Sequence, residues 1–338
     1  MVSGALFRYL WRMIVIAWLI YVPLQLGWLP LSILGAVWVG YKQIVVSRRL
    51  GLSQTAIEII NGRWTGDVFG LRPDPWSRRL ARHLPNTSTA GLALCLFPLL
   101  VARWIAGRPI LYPLRPADEA AGLANLVFSR SPRFDQLIEA HRARVEQVVI
   151  LGAGLDTRAY GPLAATGLSL FELDQPTEQR AKRAALSRAG ISSDHVCFVE
   201  VDFAADDWSG ALLHSGFDPA RPTLFLWEGV TLYLSDADIA RTLKTLHLLS
   251  APGSVLLLDL YATRFLALAR KGAMAAVLEQ TGEGVAFGLD LSSDAPACLD
   301  RFAAAHGLRV DAAYFLGSAH RQGPFAVIAA LLFEPSGP

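Results

Sequence analysis

Four short segments in the second half of the chain hold the residues whose types and spacing suit chemistry. The first is VVILGAGLDTRAY, residues 148–160, in which an apolar run ends in Gly152-Ala153-Gly154 and then Asp156. Glycines after a strand let the backbone approach a ligand with no Cβ in the way. A dinucleotide fingerprint would lead on to a third glycine. Here Asp156 and Thr157 follow; Asp156 counts with Gly152, Ala153 and Gly154 among the candidate cofactor-binding residues, or else it and Thr157 cap a helix. Asp174 closes FELD, 20 residues past Gly154, the distance at which an acid accepts hydrogen bonds from ribose hydroxyls and repels a 2′-phosphate. Asp202 and Phe203 close VEVDF, a carboxylate for an adenine amino group and a ring to pack on the base. Glu228 ends the apolar run TLFLW. Inside a sheet it would be a costly buried charge, so it is expected to face a ligand and hold an ammonium group, or else to serve as a general base. Tyr233, on the same loop, borders either a substrate pocket or the core. In chain order these residues describe a nucleoside site for a ligand with no pyrophosphate.

The elements that must position them are legible from the apolar pattern. Strands are predicted at Gln147–Gly152, Ser169–Asp174, Val196–Asp202, Thr223–Glu228, Ser254–Tyr261, Arg309–Phe315 and Phe325–Phe333. Helices are predicted between them at Thr157–Ala165, Thr177–Ala189, Asp206–Ser215, Asp236–Leu249 and, after an irregular insert, Asp294–His306. Apolar strands alternating with helices predict an α/β fold with a doubly wound, mostly parallel sheet. The last two strands are separated only by GSAHRQGP, which predicts an antiparallel hairpin and a seven-stranded sheet with an antiparallel last strand. This is the arrangement of class I Rossmann-like methyltransferases. Ligands of open α/β sheets sit beyond the carboxyl ends of the strands, where the hairpin loop should also open. His320 on that loop is a candidate base for a hydroxyl acceptor, or a solvated loop residue. The histidines and the three cysteines, Cys95, Cys197 and Cys298, show no metal-ligand or disulfide spacing, so no metal is expected.

The charge balance is divided along the chain. Residues 1–115 carry 13 Lys/Arg and 3 Asp/Glu, and residues 116–338 carry 18 and 26. A basic end on an acidic body points to an anionic partner, read here as phospholipid headgroups and not nucleic acid. From Met13 to Tyr41 there is no charged residue. As one helix this run would be about 44 Å long, more than a bilayer core. Pro23, Gly27 and Pro30 interrupt it, and Arg8 and Arg12 before it and Lys42, Arg48 and Arg49 after it prefer the same side. A two-armed hairpin is as natural as one long tilted span, and residues 1–50 are expected to form an apolar helical hairpin, membrane-inserted or re-entrant. Residues 51–116 are expected to form a basic linker with interfacial or lid helices, including the 13-residue run Ala90–Ala102. Residues 117–338 are expected to form the catalytic domain, on the cytoplasmic side.

The stretches SRSPRFDQLI, QVVILGAGLDTRAY, FELDQP, VEVDF and LFLWEGVTLYL, from about Asn125 to Leu234, resemble the leucine carboxyl methyltransferase family, in particular its bacterial branch of S-adenosylmethionine-dependent enzymes. Weaker similarity extends to the C-terminus and to Ser88-Thr89-Ala90. The resemblance implies S-adenosyl-L-methionine as cofactor. It implies that Arg130 binds the methionine carboxylate, Gly152 lies in the glycine loop and Asp174 holds the ribose. Asp202 and Phe203 then contact adenine, and Glu228 lies beside the methionine moiety. Arg103 is the nearest candidate for a second arginine on the carboxylate. Together with the apolar N-terminal region, the reading is a membrane-associated O-methyltransferase acting on a carboxylate or hydroxyl of a lipophilic small molecule. An NAD-dependent oxidoreductase, or a non-enzymatic membrane scaffold on the same fold, is the alternative.

Overall fold

The computed structural model describes residues 4–203, 208–269 and 284–334. The chain divides into two compact units, residues 1–115 with 184–191, and residues 116–183 with 192–338.

The larger unit is built on a seven-stranded sheet. Its strands are β1 (Gln147–Leu151), β2 (Ser169–Asp174), β3 (Val196–Glu200), β4 (Thr223–Trp227), β5 (Val255–Tyr261), β6 (Leu308–Leu316) and β7 (Ala326–Phe333), in the order β3-β2-β1-β4-β5-β7-β6. All neighbours pair in parallel except β7, which is antiparallel to both β5 and β6. Every residue of β1, β4 and β5 is buried, as expected of strands covered on both faces. One face packs Phe171, Trp227, Leu258 and Val327 against the helices Asp236–Leu248 and Ala295–Ala305.

The predicted strands all appear, with ends shifted by one or two residues. One predicted helix does not. In place of Thr157–Ala165 the chain makes a single 3-10 turn, Arg158–Tyr160. Gly161 and Pro162 follow that turn, and proline removes a helical donor and restricts the residue before it. The start of the predicted helix Asp206–Ser215 lies outside the described residues, and the described helix there is Trp208–His214. A helix at Leu126–His141, upstream of β1, carries the SRSPRFDQLI stretch.

The smaller unit is helical. In chain order it contains α1 (Gly4–Tyr41), a π-helical segment (Lys42–Val46), α2 (Ser47–Leu50), α3 (Gln54–Val68), α4 (Pro75–Ala81) and α5 (Thr89–Ala106). The predicted hairpin within residues 13–41 is replaced by one uninterrupted helix of 38 residues with Pro23 and Pro30 inside it. The reason lies in its packing. Ile14, Ala17, Tyr21, Trp28, Gly35 and Val39 form a stripe that contacts α5 or its C-terminal extension along most of the helix. That continuous seam holds the helix together across the two missing donors. The apolar run Ala90–Ala102 likewise extends to an 18-residue helix, capped by the Ser88 hydroxyl, which accepts from Gly91 N–H at 3.0 Å, and ended by Gly107 in the left-handed region. The two helices meet at glycines, since a Cβ on Gly35 would lie 2.6 Å from the Gly91 carbonyl oxygen.

Candidate functional site

The carboxyl edge of the sheet brings the predicted residues onto one side. β1 runs into Gly152 and Gly154, with φ of 64° and 43°, the left-handed region that favours glycine. The Gly154 N–H donates to Asp174 Oδ2, and Gln175 N–H donates to Asp174 Oδ1 at 2.7 Å. The acid at the end of β2 is thereby tied to the loop at the end of β1. Burial pushes its carboxyl above the ordinary value, against the pull of those two N–H groups. Because no α-helix follows the glycine loop, no helix N-terminus is presented there for a diphosphate.

The centre of the edge is a chain of buried ions. Arg130, 4% exposed, reaches in from the Leu126–His141 helix. Its Nε donates to Glu228 Oε1 at 3.1 Å, and one terminal nitrogen donates to Asp259 Oδ2 at 3.1 Å and to the Tyr261 hydroxyl at 2.6 Å. Tyr261 in turn donates to Asp259 at 2.8 Å. Burial opposes the charge on Arg130, but Tyr261, Glu228 and Asp259 outweigh it and raise the guanidinium pKa above its ordinary value. The other oxygen of Glu228 accepts from Arg158 at 2.6 Å. Arg158, 1% exposed, also donates to Asp135 at 2.8 Å, to Asp156 and to the Ser131 carbonyl at 3.3 Å. Asp156, a candidate cofactor residue, has no α-helix behind it to cap. Its carboxylate accepts from the backbone and the side chain of Arg158. Four carboxylates, Asp135, Asp156, Glu228 and Asp259, thus surround two guanidinium groups.

The loop after Glu228 is held by the same network. Gly229 N–H donates to Asp259 Oδ1 at 2.8 Å. Val230 beyond it lies so close to Gly152 that a Cβ there would approach its side chain to 2.5 Å. Tyr233 sits in the 3-10 turn Thr231–Tyr233, half-buried. At the end of β3, Asp202 and Phe203 are half-buried, and the Phe203 ring meets Trp208 edge-on with centroids 5.7 Å apart. His320 is in the turn between β6 and β7, which pairs with the carboxyl end of β5 and so opens on the same edge. Its Nε2 lies 3.2 Å from the Ala121 carbonyl oxygen. Next to an acceptor that nitrogen carries the proton, which leaves Nδ1 as the acceptor in the neutral ring. Arg103 belongs to the other unit, where its Nε donates to the Phe69 carbonyl at 3.2 Å.

Sequence reading left out Arg158, Asp259, Tyr261 and Glu172. Glu172 lies under Asp174 on β2, 1% exposed, and accepts from Lys182 at 2.7 Å and from the Tyr160 hydroxyl at 2.8 Å. An acid inside an apolar run was the available signal for Asp259 in VLLLDLY and for Glu172 in SLFELD, as it was for Glu228.

The leucine carboxyl methyltransferase family model matches residues 113–247. Among similar curated proteins is a Mycolicibacterium smegmatis protein, 33% identical over 220 residues, which cover 64% of this chain and 69% of that one. A Mycobacteroides abscessus protein is 39% identical over 155 residues, covering 45% of this chain and 51% of its own. A Saccharopolyspora erythraea protein is 37% identical over 173 residues, covering 50% and 57%. All three are named as candidate S-adenosyl-L-methionine-dependent methyltransferases. The matched region spans little more than half the length of the latter two relatives.

Proposed function

Because this chain belongs to the leucine carboxyl methyltransferase family of S-adenosylmethionine-dependent methyltransferases, we propose that it methylates an oxygen of a lipophilic small molecule at a membrane surface. The observation that carries the cofactor part is the tie between the glycine loop and Asp174, set beside the ion chain of Arg130, Glu228 and Arg158. These residues fit S-adenosyl-L-methionine. Gly152 and Gly154 leave bare backbone where a side chain would fill the cradle, and the carboxylate surplus suits a ligand with a sulfonium and an ammonium group. When bound, the cofactor supplies a methyl carbon already activated by its sulfonium.

The remaining work is alignment and exclusion of water. Arg130, fixed on two acids, would hold the methionine carboxylate, and Glu228 the ammonium. Asp174 would take the ribose hydroxyls, with Asp202 and Phe203 at the adenine. Both oxygens of Glu228 accept from guanidinium groups, so its role is to orient and not to take a proton. That favours an acceptor that arrives ionised, a carboxylate. A hydroxyl acceptor would need a base, for which Nδ1 of His320 is the candidate.

The membrane part is supported by α1. Leu19, Leu26, Ile33, Leu34 and Val37 are exposed on a helix that is apolar around its whole circumference. In a soluble protein such a helix would be buried. Incubation with methyl-labelled S-adenosylmethionine and a membrane lipid extract, followed by mass spectrometry, tests the reading. Base-labile label in the lipid fraction identifies a methyl ester and base-stable label an ether, while label confined to protein overturns the lipophilic acceptor. Calorimetric binding of NAD in preference to S-adenosylmethionine would return the reading to an oxidoreductase.

A further inference from the structure

A membrane-bound apolar helix can cross the bilayer or lie along it, and contacts inside the smaller unit separate the two. α5 packs along α1, and its last turn is tied by a side chain to the end of α3. α1 runs antiparallel to α5. Ala17 is packed with Ala102 and Ala106, Trp28 Nε1 donates to the Leu94 carbonyl at 3.0 Å, and Gly35 lies against Gly91 and Cys95. α3 runs in the direction of α5. Gln54 at its start donates to the Ile44 carbonyl, just past the C-terminal end of α1, at 3.4 Å. Phe69, just past the end of α3, accepts from Arg103 in the last turn of α5 at 3.2 Å.

The start of α3 thus lies by the C-terminal end of α1 and its end by the last turn of α5. Between them α3 carries Asp67, the exposed Glu58 and the buried Arg63, with Arg78 and Arg79 following on α4. If α1 and α5 crossed a bilayer, these charged side chains would be taken to the depth of its hydrocarbon, where ionised groups are costly. An axis parallel to the membrane avoids this. The outer side of α1 then meets acyl chains while α3 and α4 stay on the water side. The residues next to the apolar run complement an anionic leaflet, since Lys42, Arg48 and Arg49 follow it and Arg48, Arg49 and Arg82 are exposed.

We propose that residues 1–115 form a monotopic anchor, with α1 lying parallel to the membrane plane within one leaflet of an anionic bilayer and no segment crossing it. This rests on the membrane part of the proposed function. The test uses the full chain with Cys95, Cys197 and Cys298 changed to alanine and single cysteines introduced as Tyr9→Cys, Leu26→Cys or Arg48→Cys. Each is added to preformed vesicles of phosphatidylcholine and phosphatidylglycerol and treated with a membrane-impermeant maleimide. Tyr9→Cys and Arg48→Cys should be labelled equally in intact and lysed vesicles, while Leu26→Cys loses labelling on vesicle binding.

Labelling of Tyr9→Cys only after lysis overturns the parallel attitude and leaves membrane association standing. Protection of Leu26→Cys without vesicles, in a chain that sediments as a dimer, overturns it in favour of a second copy on the apolar face. Failure to float with vesicles overturns both the attitude and the membrane part of the function. If the cysteine variants do not fold, oriented circular dichroism of the unmodified chain in stacked bilayers reads the same quantity. A helix signal along the membrane normal overturns the proposal, and one in the plane supports it.

Discussion

Asp174 is bound to the glycine loop before any ligand arrives, so its substitution should act on binding first. Hydrogen bonds to a charged group contribute about 1.5–3 kcal/mol, so Asp174→Ala should weaken S-adenosylmethionine binding by roughly 10- to 100-fold in calorimetry. Because burial raises its pKa above the ordinary aspartate value of 3.8, the acceptor is lost by protonation as pH falls through that raised value. Cofactor affinity should accordingly decline at a higher pH than an ordinary aspartate would give. Gly152→Ala should cost about 1–2 kcal/mol for the left-handed backbone alone and push Val230 away, with loss of binding in the same titration. The Glu172–Lys182 pair gives a stability test. Both side chains are 1% exposed, and removing one partner of a buried pair costs about 3–5 kcal/mol. Lys182→Met should show this in denaturant unfolding, and the double variant Glu172→Gln, Lys182→Met should recover most of it. Residues at strand ends, such as Asp174 and Glu228, were legible because an acid interrupts an apolar run just where the sheet opens. Arg158 was not. It lies four residues past Gly154 in sequence, and its partners Asp135 and Glu228 come from distant elements.

At the scale of elements the parallel sheet was legible almost to the residue, since each strand is a short apolar run set off by polar or glycine residues. The two failures share a cause, the local reading of proline. Pro23 and Pro30 read locally as a turn in the chain, yet α1 continues because its seam with α5 spans them. After β1 the opposite error arose, a helix predicted through Gly161-Pro162 where only a 3-10 turn forms. Tertiary packing rescued proline in the first case, and nothing did in the second. The seam predicts its own weak point. Gly35→Val would set a Cβ 2.6 Å from a backbone oxygen of α5, and overpacking of this kind costs about 1–3 kcal/mol. Thermal unfolding of the chain bound to detergent micelles should register the loss, while Ala36→Val, on the exposed side of α1, should be nearly neutral.

For the molecule as a whole, the split between 13 basic and 3 acidic residues before residue 116 and 18 and 26 after it would make the proposed membrane binding an electrostatic as well as an apolar matter. Flotation with phosphatidylglycerol vesicles should weaken between about 0.05 and 0.5 M salt as the Debye length contracts, and it should persist in part through α1. The π-helical segment Lys42–Val46 lies at the junction of these two contributions. In an α-helix each residue advances the azimuth by about 100°, while a π turn is wound more loosely. The segment thus acts as a phase shifter between the apolar rod and the basic pair Arg48 and Arg49. Removing Ile44 alone would leave composition, charge and hydropathy almost unchanged yet swing that pair by about a quarter of a revolution around the rod. On the proposed membrane surface, whether the arginines meet phosphates or acyl chains would be set by the number of residues in one turn of the helix, not by their chemistry.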